Sequence, residues 1–246
     1  MRKSASDDVR GRPCVEVRDE PMHRHLFENE RFRVYCATIP PGGRTLYHRH
    51  SEDTLYVALE GGVSCSRTIG PRYGTRYRFP RSFGSFAKAW FGVRGLLLGS
   101  AHVPKRSFFL MLNRGFPVAH RVSASRRNAK DMKLLGIEIL ERGGADRGSR
   151  AGFPPSVKME YESKDFAVLS VRVEPGSATR TVRFDGPGMV VSMSDRLTFT
   201  APDEGGQLCA RLELKAGEFL PCEPGKFVVL SAPGPEPLAA LLIARH

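Results

Sequence analysis

An internal repeat is the feature that most restricts how this chain can fold. Residues 27–50 align without gaps with residues 161–184, and the Pro-Gly pairs Pro41-Gly42 and Pro175-Gly176 coincide in that alignment. Because a turn falls at the same place in two strand-like segments, the alignment indicates a duplication. The chain has 246 residues, which is enough for two small related domains.

Both halves contain short segments that are typical of β-strands. RFRVYCATI, TLYVAL, FAVLSVRV and KFVVLSA are enriched in β-branched and aromatic residues, and Gly and Pro turns separate them. Many short strands between such turns predict an all-β sandwich or barrel in each half. The Gly-, Arg- and Pro-rich stretch 142–156 predicts a linker between domains at 12–141 and 157–246.

Positive charge is concentrated in one part of the chain. The formal net charge is +12, and residues 61–130 contain fourteen Lys or Arg side chains and no Asp or Glu. A basic block of this kind attracts anions, and a solvated basic surface without a dedicated partner is the alternative. Since no recognised nucleic-acid-binding motif accompanies the charge, we do not expect specific nucleic-acid binding.

Cysteine usage and the lack of targeting segments predict an intracellular protein. The five cysteines are scattered without a CxxC pair, which favours a reducing compartment. No apolar run reaches the roughly 18 residues of a transmembrane helix, and the N-terminus does not resemble a secretory signal. We expect a cytoplasmic location, with an organellar one as the alternative.

Two histidines one residue apart follow the first Pro-Gly turn. His48 and His50 occupy alternate positions of a predicted strand, so their side chains point to one face of the sheet. If that face is the interior of a barrel, a histidine from a later strand completes a set of three. Three neutral imidazoles suit Fe(II), Zn, Ni, Cu or Mn. The alternative is a pair of scaffold histidines that hold no metal.

The spacing around this pair resembles the first motif of the cupin superfamily, a Gly, two His, an acidic residue and a second Gly at set intervals. The matching residues are Gly42, His48, His50 and Gly61. A looser match to the second motif is offered by Gly115, Pro117 and His120. The resemblance covers most of residues 15–140 and, through the repeat, weakly covers 157–246. It implies a bicupin of the RmlC-like type, with two jelly-roll barrels (double-stranded β-helices) in tandem.

The resemblance also implies a set of metal ligands, namely His48, His50 and His120, with His102 as a rival for the third place. Cupins usually add a carboxylate, and the spacing places it at Thr54, a poor metal ligand. Glu52 is a possible additional ligand if the local geometry favours it. The expected set is therefore three histidines, as in the thiol dioxygenase branch of the superfamily.

Two other parts of the chain have the elements of this motif without its full pattern. His23 and His25 form a second His-x-His but lack the Pro-Gly turn, so we assign them to an edge strand with a structural role. In the second half the positions of the three ligands are taken by Val182, Phe184 and Val228. That half is predicted to be a metal-free cupin domain that packs against the first or mediates homodimer formation.

A long basic and aromatic insertion, 67–106, separates the two motifs of the first half. Phe83, Phe86 and Trp90 recur at helical spacing and predict a short amphipathic helix. The insertion is a candidate lid, membrane-binding surface or docking site for an acidic partner, and packing into the core is the alternative. The basic and aromatic residues that we expect to form such a surface are Arg76, Arg78, Arg81, Phe83, Phe86, Lys88, Trp90 and Arg94.

Two functions follow from these features. The first is a metal-dependent enzyme, an oxidoreductase of the Fe(II) dioxygenase type, that acts on a small and possibly anionic molecule. The second is a non-catalytic binding or assembly protein that uses its basic insertion to bind an acidic partner or an anionic membrane surface. Nothing in the sequence favours a hydrolase with an activated nucleophile, because no GxSxG motif occurs.

Overall fold

A computed structural model of the chain describes residues 7–8, 13–69, 76–78, 100–114, 117–140, 156–178, 182–202, 208–225 and 227–245. The chain divides into two compact units, Met1–Arg142 and Gly143–His246. The expected all-β architecture is confirmed, since the described residues form strands and one short 3₁₀ helix, Val17–Asp19. In the described ranges no helix has the length and apolar character needed to cross a membrane.

The first unit consists of two six-stranded sheets. Its strands are, in chain order, β1 Asp7–Asp8, β2 Pro13–Glu16, β3 His23–Glu28, β4 Phe32–Ile39, β5 Tyr47–His50, β6 Asp53–Glu60, β7 Gly62–Ile69, β8 Arg76–Arg78, β9 Ala101–Val103, β10 Phe108–Leu112, β11 Val118–Ala124 and β12 Met132–Ile139. One sheet has the order β1-β2-β5-β11-β7-β9 and the other the order β3-β4-β12-β6-β10-β8. Only the β2–β5 pair is parallel among the pairs described in this unit.

The core of the first unit lies between its two sheets. One sheet contributes buried side chains such as Tyr35, Met111 and Met132, and the other contributes Ala124 and the partly buried Val122. Apolar residues at every second position along β4 and β12 point to this core, as strand geometry requires. The inner face therefore contains the candidate ligands as well as the packed apolar residues.

The second unit also consists of two sheets. Its strands are, in chain order, β13 Val157–Glu162, β14 Phe166–Val173, β15 Val182–Arg183, β16 Gly188–Ser192, β17 Leu197–Pro202, β18 Leu208–Leu214, β19 Phe219–Cys222, β20 Phe227–Ser231 and β21 Leu238–Arg245. The sheet orders are β13-β14-β21-β16-β19 and β15-β20-β17-β18. Buried apolar side chains from both sheets form a single cluster.

The repeated Pro-Gly turns are confirmed by the backbone. Gly42 follows β4 with a φ of 77°, and Gly176 follows β14 with a φ of 67°. This left-handed conformation is accessible to glycine at no steric cost, which explains why the residue recurs at the turn of each unit. The strands before these turns, β4 and β14, each have eight residues and lie at the offset of the repeat.

Most of the basic aromatic insertion lies outside the described residues. Arg81, Phe83, Phe86, Lys88, Trp90 and Arg94, and with them the predicted amphipathic helix, fall in that part of the chain. Two of its arginines, Arg76 and Arg78, belong to β8, at one edge of its sheet. Arg78 is exposed and pairs with Leu110 of β10.

Candidate metal centre

Two neighbouring strands bring the three candidate histidines together. β5 carries His48 and His50, and β11 carries His120. In the antiparallel β5–β11 pair His48 lies opposite His120, and His50 lies opposite Val118. The spacing of two residues within β5 and this register place all three imidazoles on one face of the sheet.

The three side chains form a compact group in the interior of the first unit. One ring nitrogen from each of His48, His50 and His120 lies within 4.8 Å of those of the other two. Their ring centroids are separated by 4.8 to 5.0 Å. The exposed fractions are 1%, 0% and 5%, so water is largely excluded from the group.

Hydrogen bonds at Nδ1 orient two of the three rings. His48 donates from Nδ1 to the Leu46 carbonyl at 3.0 Å, which leaves its Nε2 as the nitrogen with a free lone pair. The His120 Nδ1 lies 3.0 Å from the Ser66 hydroxyl. The His120 Nε2 is buried, and no hydrogen-bond partner reaches it from the described residues. A buried polar atom in that situation is costly, and a metal ion would satisfy it.

Burial also keeps the three imidazoles neutral. Desolvation lowers the pKa of His48 to about 4, and the hydrogen bond to Leu46 opposes part of that change. Desolvation, with the neighbouring histidines as a further cause, lowers the pKa values of His50 and His120 well below 6.5. Neutral imidazole is the form that binds divalent transition metals, so the donor set fits such an ion.

The two additional ligands considered from the sequence do not join the group. Thr54 is fully buried on β6, and its hydroxyl donates to the backbone carbonyl of Glu52 at 3.0 Å. The Glu52 carboxylate lies 3.4 Å from the Arg114 guanidinium. Glu52 is not part of the group of possible ligands that the three histidines form, and the Thr54 hydroxyl is engaged with a backbone carbonyl.

A carboxylate that the sequence analysis missed lies beside the histidines instead. Glu138 on β12 is 1% exposed, and its Oε1 is 4.0 Å from the His50 Nδ1. Glu138 on β12 lies directly opposite Thr54 on β6, so the two side chains lie on the same face of their sheet. A single acidic residue within the apolar run LLGIEIL was the available signal.

Arg33 holds the Glu138 carboxylate. Its Nη1 donates to Glu138 Oε2 at 2.7 Å, and its other nitrogens donate to Glu28 at 2.9 and 3.0 Å. Burial raises the pKa of Glu138, and the Arg33 charge opposes that rise. The hydrogen bonds that Arg33 donates to Glu28 are the largest cause that raises the pKa of Arg33, so the guanidinium stays charged.

Two tyrosines extend the polar network into the core. The Tyr56 hydroxyl lies 3.4 Å from Nε2 and 3.5 Å from Nδ1 of His50, and 2.9 Å from the Tyr35 hydroxyl. Tyr35 lies across β12 at Gly136, where an added Cβ would collide with the Tyr35 ring. Glycine at this position therefore makes room for the tyrosine pair. Neither tyrosine was expected at the site from the sequence.

The second His-x-His lies in β3, an edge strand, as predicted. The His23 ring, however, lies next to the site, 4.7 Å from the His48 ring and 4.9 Å from the Tyr35 ring between centroids. Its Nδ1 is 3.2 Å from the Val17 carbonyl, and burial lowers its pKa to about 3. His25 is exposed and lies 3.6 Å from Glu28.

His102, the rival third ligand, lies away from the group. It is exposed on β9, where it pairs with Val63 of β7 at the edge of the sheet. Two strands, β7 and β11, therefore stand between its strand and β5. Of the two alternatives, the structure brings His120 and not His102 to the histidine pair.

Apolar side chains take the corresponding places in the second unit. Val182 pairs with Val228 across β15 and β20, in the same way that His48 pairs with His120. Val182, Val228 and Phe184 are almost completely buried and belong to the core cluster of that unit. Phe184 fills the space above Gly188, where an added Cβ would collide with its ring.

A polar cavity borders Glu138. Its volume is about 220 Å³. Its lining includes three carboxylates and three guanidinium groups, which belong to Glu16, Glu52, Glu138, Arg18, Arg33 and Arg49. A small polar molecule can therefore approach the histidine group as far as Glu138.

Comparisons with solved structures show the fold. AerE from Microcystis aeruginosa matches with a TM-score of 0.54 and 8% identity, over 92% of this chain and 98% of that one. An oxalate decarboxylase matches with a TM-score of 0.55 and 13% identity, over 88% of this chain and 69% of that one. The Bacillus subtilis oxalate decarboxylase, described with Mn(II) centres, matches with a TM-score of 0.53 and 13% identity over 91% and 75%.

No known protein family matches the sequence itself, and no curated protein does. The similarity is thus visible in three dimensions at identities too low to transfer an activity. The solved structures it matches are cupin-family proteins, and the motif around His48 and His50 has the cupin spacing. The chain has the fold of the cupin superfamily.

Proposed function

We propose that this chain is a metal-binding bicupin whose first unit holds a divalent transition metal through His48, His50 and His120. One observation carries the proposal, namely that three buried, neutral imidazoles meet on two paired strands. The buried His120 Nε2, which no described residue satisfies, supports it. The apolar residues at the equivalent register in the second unit support a degenerate, metal-free cupin domain there.

The metal that we propose is Fe(II). Three imidazoles bind most first-row divalent ions, so Zn, Ni, Cu and Mn are the competing ions. A three-histidine set leaves coordination positions open for water or a substrate. When bound, Fe(II) would supply redox chemistry towards dioxygen and a small organic molecule, as in an oxygenase.

The protein residues would bind and orient the small molecule. The cavity beside Glu138 is lined by three guanidinium groups and three carboxylates, so it suits a small polar molecule. The burial of the three imidazoles keeps water from the site. The histidines are thereby kept in their neutral, metal-binding form.

Elemental analysis of protein purified without chelators tests the metal site. We expect about one transition-metal ion per chain, and a trace in the His48→Ala/His50→Ala variant. A His25→Ala/His102→Ala variant, which removes two exposed histidines, should keep the metal content of the native protein. A content below about 0.2 equivalents that does not change in the first variant contradicts the proposal.

Oxygen consumption tests the proposed reaction class. The Fe(II)-loaded protein should consume dioxygen with at least one member of a panel of thiols and small organic acids. The His48→Ala/His50→Ala variant, treated in the same way, is the control for free iron. If the metal-loaded protein consumes no dioxygen with the panel, the proposed metal site stands and the proposed oxygenase activity is contradicted.

A further inference from the structure

Glu138 is a buried carboxylate whose two oxygens have different neighbours. Oε2 accepts a hydrogen bond of 2.7 Å from Arg33, whereas Oε1 faces the His50 Nδ1 at 4.0 Å. Arg33 is itself held by two hydrogen bonds to Glu28. A carboxylate that is fixed on one side by a guanidinium keeps its orientation, so Oε1 stays directed at the imidazole.

His50 differs from the other two histidines in what lies at its Nδ1. His48 donates to a backbone carbonyl and His120 meets the Ser66 hydroxyl, each at 3.0 Å. At His50 the Tyr56 hydroxyl lies 3.5 Å from Nδ1 and 3.4 Å from Nε2, and the Glu138 carboxylate approaches Nδ1 to 4.0 Å, which is beyond hydrogen-bond distance. Histidines that bind a metal almost always donate their second N–H to such an acceptor, which orients the ring.

In the second unit the position of Glu138, like the positions of the three histidines, is occupied by an apolar residue. In the first unit Arg33 pairs with Glu138 across β4 and β12, and Glu138 pairs with Thr54 across β12 and β6. At the same register the second unit has Ala167 opposite Ala244, and Ala244 opposite Gly188. The ion pair is absent from these positions of the unit that lacks the three histidines.

We propose that Glu138, clamped by Arg33, is a positioning residue for His50. The two atoms are 4.0 Å apart, and when the histidines hold a metal Oε1 would close on His50 to accept its Nδ1–H and direct Nε2 at the ion. We place Glu138 beside the ligands and not among them, since its carboxylate is not part of the group of possible ligand atoms that the three histidines form. This role rests on the proposed function, since it requires that the histidines bind a metal.

Titration of the metal-free protein with Co(II), followed by its visible absorption, tests this role. The Arg33→Ala/Glu138→Ala variant reproduces the Ala167–Ala244 pair of the second unit and leaves no unpaired buried charge, so we expect it to fold. Its Kd for Co(II) should rise about 10- to 100-fold. The saturated Co(II) spectrum should keep its intensity, because the number of ligands is unchanged.

A rescue variant separates the positioning of His50 from a general effect on structure. Arg33→Ala/Glu138→Gln supplies a neutral acceptor to His50 without a competing guanidinium, and its Kd should return to within about threefold of the native value. The control is Lys105→Ala/Glu60→Ala, which removes a surface ion pair that shares no residue with the histidine group or its clamp. This variant should bind Co(II) like the native protein.

The outcomes distinguish this role from the proposed function. Native protein that binds no Co(II) overturns the metal site and the role of Glu138 with it. Native binding with an unchanged Kd in Arg33→Ala/Glu138→Ala overturns the role of Glu138 alone. A changed intensity of the saturated spectrum in that variant, or a failure of Glu138→Gln to rescue, also overturns it, because either result identifies the carboxylate as a ligand or as a purely structural group.

Discussion

His48 and His120 face each other across the β5–β11 pair, with their ring centroids 4.8 Å apart. Directly opposed side chains of an antiparallel pair are the closest neighbours that a sheet provides. The same position in the second unit holds Val182 and Val228, which pack into an apolar core. One arrangement of strands thus supports either a polar group of ligands or a packed interior.

The pairing with His48 leads to a prediction about the third ligand. His120→Ala should reduce the metal content from about one ion per chain to a trace, because two imidazoles hold a divalent ion poorly. His102→Ala is the matched control, since His102 is exposed on β9 and lies outside the group. Elemental analysis of both variants measures the effect. Equal metal loss in the two variants would contradict the assignment of His120.

The tyrosine pair leads to a prediction about stability. Tyr56→Phe deprives the buried Tyr35 hydroxyl of its partner at 2.9 Å and should lower the free energy of unfolding by about 1–3 kcal/mol. The double variant Tyr35→Phe/Tyr56→Phe removes both hydroxyls, so it should lose less than the sum of the two single variants. Denaturant unfolding of the three variants gives this comparison. Additive losses would show that the two hydroxyls are not coupled.

Phe184 should be important for the stability of the second unit and irrelevant to metal binding. Phe184→Ala removes a side chain that is 2% exposed and leaves a cavity, which typically costs about 3–5 kcal/mol. Leu212→Ala removes an exposed side chain and should change stability by less than about 0.5 kcal/mol. Denaturant unfolding and elemental analysis check the two parts. Loss of metal from a folded Phe184→Ala protein would contradict the assignment of the site to the first unit.

Acid should destabilise the metal-free protein. Burial lowers the pKa values of His23 and His48 to about 3 and about 4, so between pH 6.5 and 4 the unfolded chain binds protons that the native protein does not. Stability is therefore greatest above pH 6.5, and each histidine lowers the free energy of unfolding by up to about 1.4 kcal/mol per pH unit below it. Burial raises the pKa values of Glu20 and Glu138, which offsets part of this loss.

Denaturant unfolding of the metal-free protein at several pH values between 7.5 and about 4.5 measures this dependence. His23→Gln should reduce the slope, because it removes one group that only the unfolded chain protonates. His25→Gln, at an exposed position of the same strand, should leave the slope unchanged. A free energy of unfolding that stays constant down to pH 5 would contradict the burial of neutral histidines.

Several features of the fold could be predicted from local sequence. Alternation along β5 placed His48 and His50 on one face, and the Pro-Gly pairs marked turns where Gly42 and Gly176 adopt a positive φ. The repeat aligns Val182 and Phe184 with the two histidines and predicted that they fill the interior of the second half, and both are buried. These predictions succeed because strand periodicity and turn conformation depend on residues within a few positions of each other.

The sequence by itself determined the short strands, the turns and the two alternating histidines of β5. Only the tertiary structure decided that His120 rather than His102 joins them, that His23 lies against the group, and that Glu138 supplies the neighbouring carboxylate. These contacts depend on the pairing register of strands that are far apart in sequence. A shift of that register by one residue would turn every side chain of a strand to the opposite face, and no local pattern specifies it.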